Sequence, residues 1–483
     1  MEVNFLGIFF IVNLLTILIL VFCSNWRVAK QVSLNGAFLQ FFTFFGMYCQ
    51  FSYADAHCSQ FNLYFTFAEP YLPIHLGVDG LSLWFVFLTL LLLPICILSG
   101  WESIKHRVVE FQLILHIITF MLMIVFTTQN LLLFYIAFES VLIPMFVIIG
   151  VWGSRERKMH ATYQFFLFTL VGSVLMLIAV IYMSVTCGST DVLRLRAFTY
   201  DGLSAKFLWV AIFVALAVKV PMFPMHIWLP EAHVEAPTPG SVLLAGILLK
   251  MGGYGYIKFL FSVFPEVCRD LKMYALVLAV IGIMYPTVTT IRQVDLKKIV
   301  AYSSVSHMNY VVVGIAIGTL SSLEGAVLTM IGHGFVSSAL FICVGALYER
   351  HGTRVISYYS GLGTVIPLFA TSFLVFTLAN VSLPGTSNFP GELLIFLGTY
   401  PYSASIALIL AVMTLFSAVY AFWLYNRIMF GRLKVELLMV YADLNKREKL
   451  LVGVLMYYVL LMGLCPSIFL EAIHGYFVGN LIT

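Results

Sequence analysis

Lys219-Val220-Pro221-Met222-Phe223-Pro224 and, further along, Leu383-Pro384-Gly385-Thr386-Ser387-Asn388-Phe389-Pro390-Gly391-Glu392 decide how this chain folds. Both stretches lie inside long apolar runs, and both combine prolines with a charge. Pro221 and Pro224 remove backbone donors and crowd the preceding turn, so carbonyls near 217–220 lose their helical partners. A break of that kind survives in a membrane only where it faces protein or water. Glu139 and Lys250 are two further charges inside apolar runs. One charge near the bilayer centre costs about 2.5–3.5 kcal/mol, and four cost on the order of 10 kcal/mol. Stability alone would remove them, so they read first as a path for ions or protons.

The rest of the composition agrees with a membrane. Of 483 residues, 61% are hydrophobic and only 10% charged, with 43 Phe, which no soluble chain of this length shows. The sequence predicts an all-α polytopic membrane protein. Fourteen apolar runs are long enough to span, at roughly 5–23, 34–51, 80–99, 111–128, 129–151, 163–184, 207–229, 241–263, 273–291, 297–318, 321–347, 364–398, 403–427 and 450–471. Eighteen of the 26 Lys and Arg fall in odd-numbered loops and six in even ones. Positive flanks stay inside, so both termini are expected on the outer side. The net charge of +4 follows from this topology and does not point to nucleic acid. The first run follows Glu2, lacks a basic leader and reads as a retained span.

Between the spans there is no soluble module. The longest extramembrane pieces are about 54–79, 185–206 and 428–449. Partial alternation over Phe61-Asn62-Leu63-Tyr64-Phe65-Thr66-Phe67 predicts a short hairpin. About ten residues follow the last run. Paired interruptions in two halves of a chain are the mark of an inverted-repeat transporter.

The buried charges suit proton transfer. Lys219 is mid-depth, too deep to snorkel, and a lysine whose partner can approach or retreat is a switchable carrier. Glu139, the one charge in its run, is the natural partner. Lys250 is mid-span among small residues that leave room for water, whereas Lys258 near the end of the same run reads as a snorkelling anchor. His307 and His333 are mid-span and can pass a proton between ring nitrogens; the serines beside His307 could extend a water wire. Glu392 closes the second break and suits a terminal site, with Thr386, Ser387 and Asn388 available to satisfy freed backbone groups. The segment His226 to Pro237 holds two histidines and two carboxylates without regular ligand spacing and reads as a packed loop, not a metal site. Eight scattered cysteines with no C-x-x-C support neither zinc nor an iron–sulfur cluster. No dinucleotide or phosphate-binding motif is visible. No cofactor or electron centre is expected in this chain.

These residues carry a resemblance. Leu76-Gly77-Val78-Asp79-Gly80-Leu81-Ser82, Phe138-Glu139-Ser140-Val141-Leu142-Ile143-Pro144-Met145 with Gly150-Val151-Trp152-Gly153, and Lys219-Val220-Pro221 through His226-Ile227-Trp228-Leu229-Pro230-Glu231-Ala232-His233 resemble the antiporter-like membrane subunits of respiratory complex I. So do Leu248-Leu249-Lys250-Met251-Gly252, Asp295 to Ser304, and Gly332-His333-Gly334. The likeness is strong from about 75 to 435 and is closest to mitochondrially encoded versions of plants, algae and protists. It implies two inverted five-helix repeats, each with a broken helix, at 111–263 and 273–427, preceded by N-terminal helices over 1–110 and followed by a C-terminal helix in 450–483. It maps Glu139, Lys219, Lys250, His307, His333 and Glu392 onto the family's proton-translocating axis. Sibling subunits carry a lysine where this chain has Glu392, and Pro390 departs from the family pattern. The implied setting is the mitochondrial inner membrane, with partners among neighbouring antiporter-like and accessory subunits and lipids. The rival expectations are a subunit of a cation/proton antiporter and a structural membrane spacer.

Overall fold

In lipid, backbone polar groups must be satisfied within the segment, which leaves the helix as the available spanning form. Short polar side chains then set where several of the helices start. Asn4, Asn25, Asn130, Asp191, Asp295, Thr319 and Ser403 each accept from a first-turn amide of the helix that follows. Asn445 and Glu448 form a capping box. Gly188, Gly318 and Gly352 stop three long helices at φ of 68°, 74° and 66°, where a side chain would be strained.

The computed structural model describes residues 4–66, 73–434 and 441–482. Phe67 of the predicted hairpin and 435–440 of the charged loop lie outside the described residues. The chain divides into two compact units, Met1–Val220 with Ile247–Met273 and Glu471–Thr483, and Pro221–Gly246 with Tyr274–Leu470.

Among the described residues, eleven helices are long and apolar enough to cross a membrane, or twelve if the bent pair at the C-terminal end is one span. Fourteen were expected. The helix Trp26–Gln50 falls short because Arg27, Lys30, Gln31, Asn35 and Gln40 dilute its apolar character. The expected run 364–398 is two half-helices, Pro367–Asn380 and Asn388–Thr399, each too short alone. The end of the chain is not one helix either. Lys446–Leu464 stops before Pro466, which cannot donate to the preceding turn, and Ser467–Ile482 begins afresh. The run 129–151 is also divided, into Leu131–Ser140 and Leu142–Trp152. Pro144 accounts for this, since it has no N–H for the Ser140 carbonyl.

Burial sorts the helices. Phe5–Phe22, Lys158–Cys187 and Ala404–Met429 leave most of their apolar surface exposed, as lipid-facing helices do. Ser82–Ser99, Thr238–Phe261, Leu296–Ile317 and Leu320–His351 are buried almost entirely. Three of these four carry Lys250, His307 and His333, so the titratable side chains stand on helices that lipid does not touch.

In the first unit the strands Gln60–Thr66 and Pro73–Val78 pair antiparallel, with Leu63 opposite Leu76 and an irregularity between Gln60 and Leu63. His75 of the second strand stacks on Tyr64 at 4.3 Å between centroids, and its Nε2 lies 3.1 Å from Asn62 Oδ1. Burial lowers the His75 pKa from 6.5; Asp191 opposes this and Lys258 adds to it. Folding therefore favours the neutral ring. The stability it contributes is complete above pH ~6.5 and declines as pH falls below that value. Amide exchange in residues 60–66 and 73–78 should be faster at pH 5 than at pH 7, beyond the intrinsic pH effect, and His75→Gln should abolish the excess. Equal corrected protection at both pH values would refute this.

Candidate functional site

In the first unit, Glu139 lies in the last turn of Leu131–Ser140, whose start is fixed by Asn130 Oδ1 accepting from Leu132 and Leu133 amides at 2.9 and 3.2 Å. Its carboxylate is half-buried and meets Ser173 of the helix Lys158–Cys187. Lys219 is the final residue of the helix Gly202–Lys219 and is 4% exposed. Its ammonium stands 4.4 Å from the centroid of the Phe138 ring, within cation–π range. Glu139 and Lys219 feel each other electrostatically, but no ion pair within 4.0 Å joins them among the described residues. The ring face of the neighbouring residue holds the ammonium.

Lys250 is fully buried. Its helix is irregular on both sides: π-helical turns at Leu244–Leu248 and Tyr256–Phe261 flank a regular segment Leu249–Gly255. Such turns concentrate at functional sites. Gly252 brings this helix to Lys219. A Cβ there would stand 2.6 Å from Val220 Cγ2 and 3.0 Å from the Leu216 carbonyl. The broken end of one helix is thus seated on the glycine two residues beyond Lys250.

Lys258 corrects the sequence reading. It is 3% exposed and pairs in short contact with Asp79, itself 1% exposed. It is no snorkelling anchor. Asp79 went unselected because the sequence places it in a loop ahead of a span, and nothing local signals a partner so far along the chain.

The second unit holds the other three residues. His307 Nδ1 lies 3.0 Å from Glu392 Oε1, both side chains buried. The His333 ring centroid is 5.6 Å from that of His307. Of the serines beside His307, Ser303 and Ser304 donate to the Val300 carbonyl of their own helix at 2.8 and 3.1 Å, and Ser306 Oγ accepts from Thr287 Oγ1 at 3.3 Å. The break before Glu392 is shorter than the sequence suggested, covering 381–387. Pro390 falls in the first turn of Asn388–Thr399, where its missing N–H has no intrahelical partner to lose. Ser387 Oγ donates to the Gly332 carbonyl at 3.4 Å and Thr386 Oγ1 to the Leu383 carbonyl at 2.7 Å. Asn388, the third expected contributor, makes no such bond among the described residues. The histidine-bearing loop is the short helix Trp228–Glu235. Lys298 pairs with Glu231 at 2.8 Å, Lys297 donates to the Ala236 carbonyl at 2.8 Å, and Arg354 donates to the Val234 carbonyl.

Comparison with known proteins gives a consistent result. The family described as NADH:quinone oxidoreductase/Mrp antiporter, TM, matches residues 128–417. NADH-ubiquinone oxidoreductase chain 4 of Marchantia polymorpha is 50% identical over 84% of this chain and 82% of its own length. The chain 4 proteins of Prototheca wickerhamii and Arabidopsis thaliana are each 46% identical over 96% of this chain, and over 92% and 94% of their own. Among solved structures, a chain of respiratory complex I from Thermus thermophilus with bound NADH superposes with a TM-score of 0.89 at 27% identity, covering 99% of this chain and 100% of that one. A chain of the Mrp complex from Dietzia sp. DQ12-45-1b gives 0.89 at 18% identity, covering 100% of this chain and 99% of that one, which is a likeness of fold.

The site depends on close backbone approach at Gly332, where a Cβ would stand 2.8 Å from the Ser387 carbonyl and 3.0 Å from Asn388 Oδ1. Gly332→Ala should therefore force the break away from His333 and cost about 1–3 kcal/mol. A lowered midpoint in thermal melting of the purified assembly is expected; an unchanged midpoint would refute the packing argument.

Proposed function

Because this chain belongs to the NADH:quinone oxidoreductase/Mrp antiporter transmembrane family, we propose that Glu139, Lys219, Lys250, His307, His333 and Glu392 carry protons through it. The chain is a proton-pumping membrane-arm subunit of respiratory complex I, the NADH:ubiquinone oxidoreductase. It is a multi-pass protein of the mitochondrial inner membrane, and other subunits of that complex are its partners. Neighbouring antiporter-like subunits, accessory subunits and lipids complete the set proposed here. The proposed topology has fourteen spans, two inverted five-helix repeats at 111–263 and 273–427, and both termini on the outer side. The chain itself carries no redox centre on this reading.

The observation that supports the assignment best is the geometry around Lys219. A buried ammonium is held by the Phe138 ring while its nearest carboxylate stands off. Approach of Glu139 favours the charged form of Lys219, and retreat releases its proton. Quinone reduction elsewhere in the complex supplies the signal that moves the pair. Lys250, His307 and His333 carry protons onward toward Glu392. The hydrogen-bonded His307–Glu392 pair is the last station, since an imidazole and a carboxylate in contact can exchange a proton without a bridging group.

Replacing Glu139 or Lys219 with alanine in the assembled complex should depress NADH-driven quinone reduction and coupled pumping together, by about a hundredfold, the lower end of what one proton-transfer group contributes. Normal levels of both would sink the assignment. Glu392→Gln should leave assembly intact and impair pumping. Cation/proton exchange by membranes that contain this chain and no NADH dehydrogenase would favour antiport instead.

A further inference from the structure

We propose that Lys250, Tyr254, Lys258 and Asp79 form a second proton branch that leaves the axial lysine and ends at His75 on the face that carries the hairpin. The inference rests on the role given above to Lys250 and lies wholly within the first unit.

The spacing is the first observation. Lys250 and Tyr254 lie four apart on the regular segment Leu249–Gly255 of a buried helix, where residues at that interval are about 5–6 Å apart at Cβ, and Lys258 follows four residues later in the same buried span. All three side chains are buried. Asp79 pairs with Lys258 and is held in place by the turn it begins, its Oδ1 accepting from the Ser82 amide at 2.8 Å. It also bears electrostatically on the hydroxyl of Tyr254. Tyr254 Oη reaches the Phe126 carbonyl at 2.9 Å.

The second observation is local geometry. Lys258 sits in the π-helical turn Tyr256–Phe261, and a widened turn of that kind moves a side chain off the ordinary helical register. The third is what lies beyond. The Lys258 ammonium is 5.7 Å from the Tyr476 ring centroid, Arg196 donates to Asn480 at 2.8 Å next to it, and half-exposed His75 feels the Lys258 charge. A buried ion pair is weak support for stability, since apolar residues of similar volume do as well. One inside a membrane protein marks a pathway by default.

The transfer balances with protons alone. Lys258, as ammonium, gives a proton to His75 through water and becomes an amine. The amine takes the hydroxyl proton of Tyr254 as that oxygen receives one from the Lys250 ammonium. His75 then releases its proton to solvent, and Asp79 stays ionised to draw the charge back to Lys258. With both termini outside, that face is the outer one and the branch is an exit.

The test uses the intact complex in liposomes, with proton translocation and quinone reduction followed together. Lys258→Arg keeps the ion pair with Asp79 but cannot release a proton. Tyr254→Phe keeps the ring and removes the relay oxygen. Each should assemble and lower the number of protons translocated per quinone reduced. If the pair were only structural, Lys258→Arg would pump normally, and that result overturns the proposal. Should Lys258→Arg fail to assemble, Tyr254→Phe decides: wild-type pumping refutes the branch and a fall supports it. Lys250→Met in the same assay separates the two readings. Its failure to pump, beside normal Lys258→Arg and Tyr254→Phe, removes the branch and keeps the axis. Normal pumping by Lys250→Met removes the axis and the branch alike.

Discussion

A helix broken inside a membrane frees amides and carbonyls that only protein or trapped water can meet, and the rest of this molecule is arranged around that requirement. Both units answer it alike. The end of the helix that closes on Lys219 is seated on Gly252, two residues from Lys250. The break before Asn388 is seated on Gly332, next to His333, and Gly391 and Gly325 continue the same close approach further along the two helices. Each break is therefore pressed against an unbroken, fully buried helix at the point where that helix carries a titratable side chain. A glycine is needed there because any Cβ would push the broken backbone away.

The two units hold their titratable groups differently. In the first, the ammonium of Lys219 rests on an aromatic face and its carboxylate is not in contact. A cation–π contact is worth about 0.5–2 kcal/mol, strong enough to place the charge and weak enough to let it change. In the second, His307 and Glu392 are directly hydrogen-bonded. One cluster suits gating by a moving carboxylate; the other suits handing on whatever arrives.

Much of this was legible in the sequence, for reasons that are local. Asn and Asp caps, terminating glycines and the two proline breaks act over a few residues, so they can be read in order along the chain. Glu139, Lys219, Lys250 and Glu392 stood out because a charge in an apolar run is costly whatever surrounds it. What could not be read depends on distant partners. Lys258 looked like an anchor because the residue that neutralises it, Asp79, is far away in sequence. The partner expected for Lys219 was a carboxylate in contact, and the contact that the structure shows is with the ring of the residue beside it, Phe138. Hydropathy alone also treats as whole the apolar runs that the break 381–387 and Pro466 divide.

The first unit draws on the segment 471–482, which lies against the hairpin end of that unit. Gly80 is packed on the Ala472 carbonyl so closely that no side chain could be added, and Gly475 and Gly479 meet Ala56 and His57 in the same way. That segment leaves the ribosome only after the whole second unit has been made. During synthesis the Asp79–Lys258 end of the first unit therefore stays uncovered, a long-range closure that must wait for translation to finish. Insertion of the membrane helices and completion of the first unit are separate events in time, and a nascent chain stalled within 274–470 would expose that polar end to whatever assembly factors attend it.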